Sequence, residues 1–326
     1  MPAIKQGLAP IAIILLLVVC ASCQNPAIIA DSSGGIDASK EARLLLGPDQ
    51  RLLVRVKVNE LDGLFVLDTG TGTTALFKSF VDRLHIGFEH ASRRIYAYDL
   101  DMMTIGSLPI RIRLPGLKTK RLRADIYDDE ALKALESRFG WIPCDGILGQ
   151  DFLLRNHARI DLARMVLQWP SKGAEESHSA AILAHLYLVP GQTNVTIYAT
   201  VNGHPTSLLV DTGACGVQGS IADNRRLFQS VEKVRVPPFS SYSGGTTRTE
   251  NEGVTIHRFT IGSSSWSDLP FGIQCSFQRS ETVGPEERTI DGVLGLTFLA
   301  QNGLIIDLDK MALWQPALPR AKGISH

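Results

Sequence analysis

The chain has 326 residues, is 44% hydrophobic, and carries 33 basic and 33 acidic side chains for a net charge of zero. That length sets an expectation of about two domains, and the apolar fraction is ample for packed cores. The balanced charge gives no reason to expect nucleic acid or a strongly acidic polymer as a partner.

In chain order, residues 1–22 read as an export signal. Lys5 supplies the positive start, Ile11 to Val19 the apolar stretch, and Ala21-Ser22 the small residues before Cys23. The apolar run is short for a membrane crossing. Small residues ending on a cysteine resemble a bacterial lipobox, which would put a lipid on Cys23, although Cys20 stands where that motif usually has Leu. Cleavage without lipidation is the other reading. Either route predicts an exported protein, periplasmic or held at the outer membrane. Residues 23–46 are rich in Ala, Ser, Gly and Asp and read as a flexible tether. An exported chain meets conditions in which disulfides form. Cys144, Cys215 and Cys275 are an odd number, so they allow at most one internal bridge. Cys215 itself reads as a small buried apolar residue.

From Leu52 to Leu67 alternation gives way to a continuous apolar run, the pattern of strands. That run ends on Asp68-Thr69-Gly70, with the glycine marking a tight turn. Ala75 to Leu84 predicts a short helix with Phe77, Phe80, Val81 and Leu84 on one face. Ser92 to Leu100 predicts a hairpin, and Asn156 to Gln168 another, turning at Asp161–Arg164. Ser171 to Ala184 is polar and Ala-rich, as a linker would be.

The pattern then returns. Ser207 to Val210 lead into Asp211-Thr212-Gly213, and Asp145-Gly146-Ile147-Leu148-Gly149 is matched by Asp291-Gly292-Val293-Leu294-Gly295. The match continues through Phe152-Leu153 with Phe298-Leu299, Asn156 with Asn302, and Ile160-Asp161-Leu162 with Ile306-Asp307-Leu308. A period this long predicts a duplicated domain, not a solenoid. The expected boundaries are lobes at 47–170 and 191–320, joined by a linker at 171–190.

Each half resembles a retropepsin-type aspartic protease unit, with Asp-Thr-Gly first and a hydrophobic-hydrophobic-Gly motif some eighty residues on. Val201-Asn202-Gly203-His204-Pro205 leads into the second motif as in bacterial aspartyl proteases, and Val56-Lys57-Val58-Asn59 leads similarly into the first. The resemblance spans roughly 50–170 and 190–316. It implies an all-β fold of two homologous acid-protease β-barrel lobes in one chain with a cleft between them. Retropepsin-like units usually pair between chains, so covalent linkage here is a departure that resembles pepsin-like enzymes and implies a monomer. The family also places a flap over the substrate. The hairpin at 92–100 and the Gly-rich stretch at 240–245 are the matching segments, which makes Tyr96, Tyr242 and Gly244 cleft or flap candidates. The Thr hydroxyls of the family's triplets bond across to the opposite strand, so Thr69 and Thr212 are expected to hold the pair together.

Those residue types suit peptide hydrolysis. An Asp at the end of a buried strand is poorly solvated, and a second carboxylate beside it prevents both from ionising. The pair then shares one proton and titrates as a unit, so one member acts as base and the other as acid on a water between them. Gly70 and Gly213 permit the close backbone approach this needs. Thr71 follows the first triplet and Ala214 the second. A hydroxyl donated to Asp68 favours its charged form, which makes Asp68 the expected base and Asp211 the proton carrier. Asp145, Asp291, Asp161 and Asp307 also repeat and read as structural. The eight histidines lack metal-ligand spacing, and neither a Gly-x-Ser-x-Gly elbow nor a phosphate loop is present, so no metal or cofactor is expected. Besides an aspartic endopeptidase acting on peptides, two readings stand. One is an inactive protease-like module that binds peptides in the cell envelope; the other pairs each lobe with a lobe of another chain.

Overall fold

The computed structural model describes residues 41–97, 100–130, 132–133, 136, 142–169, 180–188, 193–222, 233–243, 246–274 and 290–316. The export signal, Cys23, Gly244 and Cys275 lie outside these residues.

The apolar run after Gly47 folds as a two-strand meander, β2 (Leu52–Val58) and β3 (Leu61–Leu67), paired from Leu53↔Val66 to Val58↔Leu61. Their side chains alternate into a core where Leu52, Val54, Val56, Val58, Phe65 and Leu67 are all essentially buried. Burying each such side chain is worth about 1.5–3 kcal/mol. After the Asp68 turn come β4 (Ala75–Phe77) and α1 (Lys78–Leu84). The helix expected from Ala75 therefore starts three residues late. Residues 75–77 instead form that strand, parallel to β7 (Leu117–Tyr127), with all three side chains buried.

The expected hairpin at 92–100 falls within β5 (Glu89–Ala97) and β6 (Leu100–Leu114), which runs on into β7 (Leu117–Tyr127). β8 (Gly146–Leu148) then inserts parallel to β3. The ring β2-β3-β8-β4-β7-β6 closes through the β2–β6 pairing, giving a closed six-stranded barrel. A short helix, α2 (Gln150–Arg155), leads to the hairpin β9 (Arg159–Asp161) and β10 (Val166–Gln168).

The second lobe repeats that order. β13 (Val195–Val201) and β14 (His204–Asp211) form its meander, and β15 (Gly219–Ala222) stands where β4 did. β16 (Lys233–Ser243) and β17 (Thr246–Ile256) make the long hairpin, followed by β18 (Phe259–Ile261), β19 (Ser264–Trp266) and β20 (Leu269–Gln274). β21 (Gly292–Gly295) runs parallel to β14 and leads to α3 (Leu296–Gln301), β22 (Ile305–Asp307) and β23 (Ala312–Pro316). The single long β6 of the first lobe is here broken at His257 and Arg258 into β17 and β18, so this ring stays open. Phe259, Trp266, Phe271 and Phe298 fill its core in tilted and edge-on contacts.

Repeated backbone detail supports the register of the two halves. Asn59 and Asn202 both take φ near +45–49°, and their side-chain oxygens accept from Arg111 N and Arg258 N. Asn tolerates the left-handed region better than most residues, which accounts for its place at both turns. Met165 and Met311 share the same strained conformation at φ 54° and 48°.

Two stretches differ from expectation. Residues 41–46, read as tether, form β1 (Glu41–Leu46), paired with both β2 and β10. Residues 180–188, read as linker, hold β11 (Ala180–His185) and β12 (Tyr187–Leu188). β1 and β11 are the outer members of a six-stranded sheet, β11-β23-β22-β9-β10-β1, whose centre joins the lobes through Ile306↔Ile160. In that sheet β1 pairs with β10 and β11 with β23, partners far along the chain that neither segment reveals locally.

Candidate active site

The parallel pairs β3–β8 and β14–β21 bring the two Asp-Thr-Gly turns together at the lobe junction. Asp68 is buried at 2% exposure, while Asp211 at the end of β14 keeps partial access to solvent. The hydroxyl of Thr69 donates to Val210 O at 2.8 Å and accepts from Thr212 N at 3.0 Å. In mirror fashion Thr212 donates to Leu67 O at 2.8 Å and accepts from Thr69 N at 3.0 Å. Both threonines are fully buried, so these four bonds lie in a dry setting where leaving any partner unmet is costly.

The glycines set the approach. A methyl on Gly70 would overlap the Asp211 carboxyl, and one on Gly213 would overlap that of Asp68. Each carboxyl therefore rests against the opposite turn. Asp68 Oδ1 accepts from Gly70 N at 2.7 Å and Thr71 N at 3.0 Å, and Oδ2 accepts from the Thr71 hydroxyl at 2.8 Å. Asp211 Oδ1 accepts from Gly213 N at 2.7 Å and Ala214 N at 3.2 Å. The Thr71 hydroxyl is the asymmetry seen in the sequence, now aimed at the Asp68 carboxylate.

The packing around Asp211 strips water from its carboxyl, and the adjacent Asp68 charge and its hydrogen bond add to that. Together they hold Asp211 well above the usual carboxylate range, while the Gly213 and Ala214 amides pull the other way. The arrangement presents two carboxyls within hydrogen-bond reach, one biased to keep a proton.

The downstream glycine motifs brace these turns. Gln150 N donates to Thr71 O and Leu296 N to Ala214 O, at 2.8 and 2.7 Å. Asp145 and Asp291 accept from Leu64 N and Ser207 N, tying each motif to its own meander, the structural role expected of them. Tyr96 and Tyr242 fall within β5 and β16, the strands of the two long hairpins, and β6 of one lobe comes into contact with β17 of the other.

Sequence reasoning missed several supports. Asn194, just before β13, reaches across the lobes to give Nδ2 to Gly70 O at 2.6 Å, and Thr193 gives its hydroxyl to Gly72 O at 3.0 Å. Arg51, just before β2, is buried in a 2.5 Å ion pair with Asp49 and donates to Ile142 O. The only available signal was position, since both residues directly precede matching strands. Cys144 and Cys215 are free thiols, both pushed up to about 11 chiefly by burial. For Cys215 this agrees with the inert reading.

The family model described as aspartyl protease matches residues 197–298. Among solved structures, the chain is similar to the aspartic proteinase from Irpex lacteus, at 13% identity and a TM-score of 0.51 over 88% of this chain and 99% of that one. No curated protein matches the sequence. The chain thus has the aspartic proteinase fold over both lobes and carries the aspartyl protease family's sequence pattern in the second.

Proposed function

We propose that the protein is an aspartic endopeptidase whose dyad is Asp68 and Asp211, one from each lobe of a single chain. The observation that carries this reading is the seating of each carboxyl against the opposite Asp-Thr-Gly turn, braced by the crossed Thr69 and Thr212 bonds. In the proposed cycle Asp68, which accepts three hydrogen bonds including one from the Thr71 hydroxyl, takes a proton from a water lying between the carboxyls. Asp211 gives its proton to the substrate carbonyl oxygen as the water attacks. As the resulting diol collapses, one of its hydroxyls returns a proton to Asp211, the proton on Asp68 passes to the leaving amine and the C–N bond breaks, so the pair returns to its starting state without a covalent intermediate. Two hairpins, β5–β6 and β16–β17, are the candidate flaps over an extended peptide. The reading includes export of the chain, a lipid on Cys23 and action as a monomer.

The test is cleavage of a mixed peptide library by the purified mature chain, with Asp68→Asn and Asp211→Asn alongside. Cleavage by the parent and its loss in both variants supports the enzyme. Peptide binding without cleavage in all three would establish the inactive binding module instead. Size measurement in solution separates internal lobe pairing from pairing between chains.

A further inference from the structure

The turn end of β6–β7 concentrates positive charge in a chain whose net charge is zero. Between Ile110 and Arg123 stand Arg111, Arg113, Lys118, Lys120, Arg121 and Arg123, with no acidic residue among them. Ile110, Ile112, Leu114 and Leu122 face the core, so the strands send their charges outward. Arg113 pairs with Glu60 at 2.9 Å and Arg123 pairs with Glu89. Arg111 and Arg121 stand directly opposite one another in the ladder, an arrangement that costs stability when nothing neutralises it.

Beside them is a recess of about 100 Å³ between β7 and α2, lined by Lys120, Arg121, Leu122, Asp151, Phe152, Arg155 and Asn156. Lys120 is half-buried there, and neither it, Arg121 nor Arg155 has a carboxylate within ion-pair distance among the described residues. Asp151 is the one acidic group in the lining. Its Oδ1 is committed to Thr74 N and Thr74 Oγ1 at 2.8 Å each and to Phe152 N at 2.7 Å. Three cations thus face a single carboxylate that already serves the fold. Guanidinium forks match the paired oxygens of a phosphate, and a lysine adds a mobile point charge.

We propose that this recess is a binding site for a phosphate group, held by Lys120, Arg121 and Arg155. The same chemistry is offered by inorganic phosphate and by a phosphomonoester lipid headgroup, and the test separates them. The mature chain is titrated with sodium phosphate at low ionic strength, following heat and thermal unfolding. A parallel arm measures co-sedimentation with phosphatidylcholine vesicles containing or lacking phosphatidic acid. Phosphate should raise the unfolding temperature of the parent. Arg121→Glu and Arg155→Glu should each weaken phosphate binding about tenfold or more, with the shift read against each variant's own unfolding temperature in phosphate-free buffer, since Arg121→Glu also relieves the repulsion from Arg111. Selective capture by phosphatidic acid vesicles would assign the group to a lipid, and binding of phosphate without such capture would assign it to a free ligand. The proposal is overturned if phosphate produces neither heat nor a shift, or if the shift survives in the Arg121→Glu/Arg155→Glu double variant.

Discussion

Arg51 and Asn194 occupy corresponding places in the two lobes, each immediately before its first meander strand, yet they do different work. Asn194 spends its amide on the partner lobe, capping the carbonyls of Thr69 and Gly70 in the turn that carries Asp68. The described hydrogen bonds of Arg51 stay in its own lobe, with Asp49, Ile142 O and the Cys144 sulfur. The backbone around the dyad is close to symmetric, whereas the polar groups that hold each half in place are not. Lobes that share a fold can still divide the labour of positioning, because each buried donor needs only some partner, not a symmetric one.

This contrast can be broken from either side. The largest effect is expected for Arg51→Met, which strands the buried Asp49 carboxylate (2% side-chain exposure) without its cation. A loss of about 3–5 kcal/mol in denaturant unfolding is expected, since an uncompensated buried charge is the costliest defect available here. Recovery of most of that loss on adding Asp49→Leu would show the cost to be the stranded charge. For Asn194→Ala the expected loss is smaller, about 1–3 kcal/mol, because the Gly70 and Thr69 carbonyls lose an uncharged amide donor. Its activity should fall more than its stability, as the uncapped turn is the one bearing Asp68.

The difference at positions 71 and 214 sharpens the comparison at the dyad itself. Thr71→Ala removes the hydroxyl from Asp68 Oδ2 and leaves both aspartates with backbone donors. The value of kcat/KM should then fall about tenfold, a hydrogen bond to a charged group being worth roughly that much. An unchanged kcat/KM would remove Thr71 from the assignment of base and acid.

Stability should also report which aspartate keeps the proton. Asp211 titrates above its ordinary 3.8 in the folded chain, so folding favours its protonated form. That contribution is complete below about pH 3.8 and is lost as pH rises through the higher folded value. Asn cannot ionise, so Asp211→Asn should gain stability relative to the parent between about pH 4 and neutrality. A stability difference flat across that range would rule out the proton on Asp211.

Much of the site could be read from residue order. Asp68, Asp211, their threonines and glycines, and the bracing Asp145–Gly149 and Asp291–Gly295 motifs all signal themselves through apolar runs that stop on polar turns. The start of α1 is not legible because Phe77, the last residue of β4, stands at helical spacing from Phe80, Val81 and Leu84. Asn194 and the Arg51–Asp49 pair were not legible, since a lone Asn or Arg before a strand has no pattern of its own.

By itself the sequence determined that two similar units follow one another, each ending a buried strand on Asp-Thr-Gly, because strand burial and glycine turns are decided within a few residues. Only the tertiary structure decided that residues 41–46 and 180–185 close a sheet between the lobes and that Asn194 supports the opposite turn. It alone also seated each carboxyl against the other lobe's glycine. Those outcomes depend on which distant backbone groups and charges lose their water together, a matter of geometry between segments that local order does not encode.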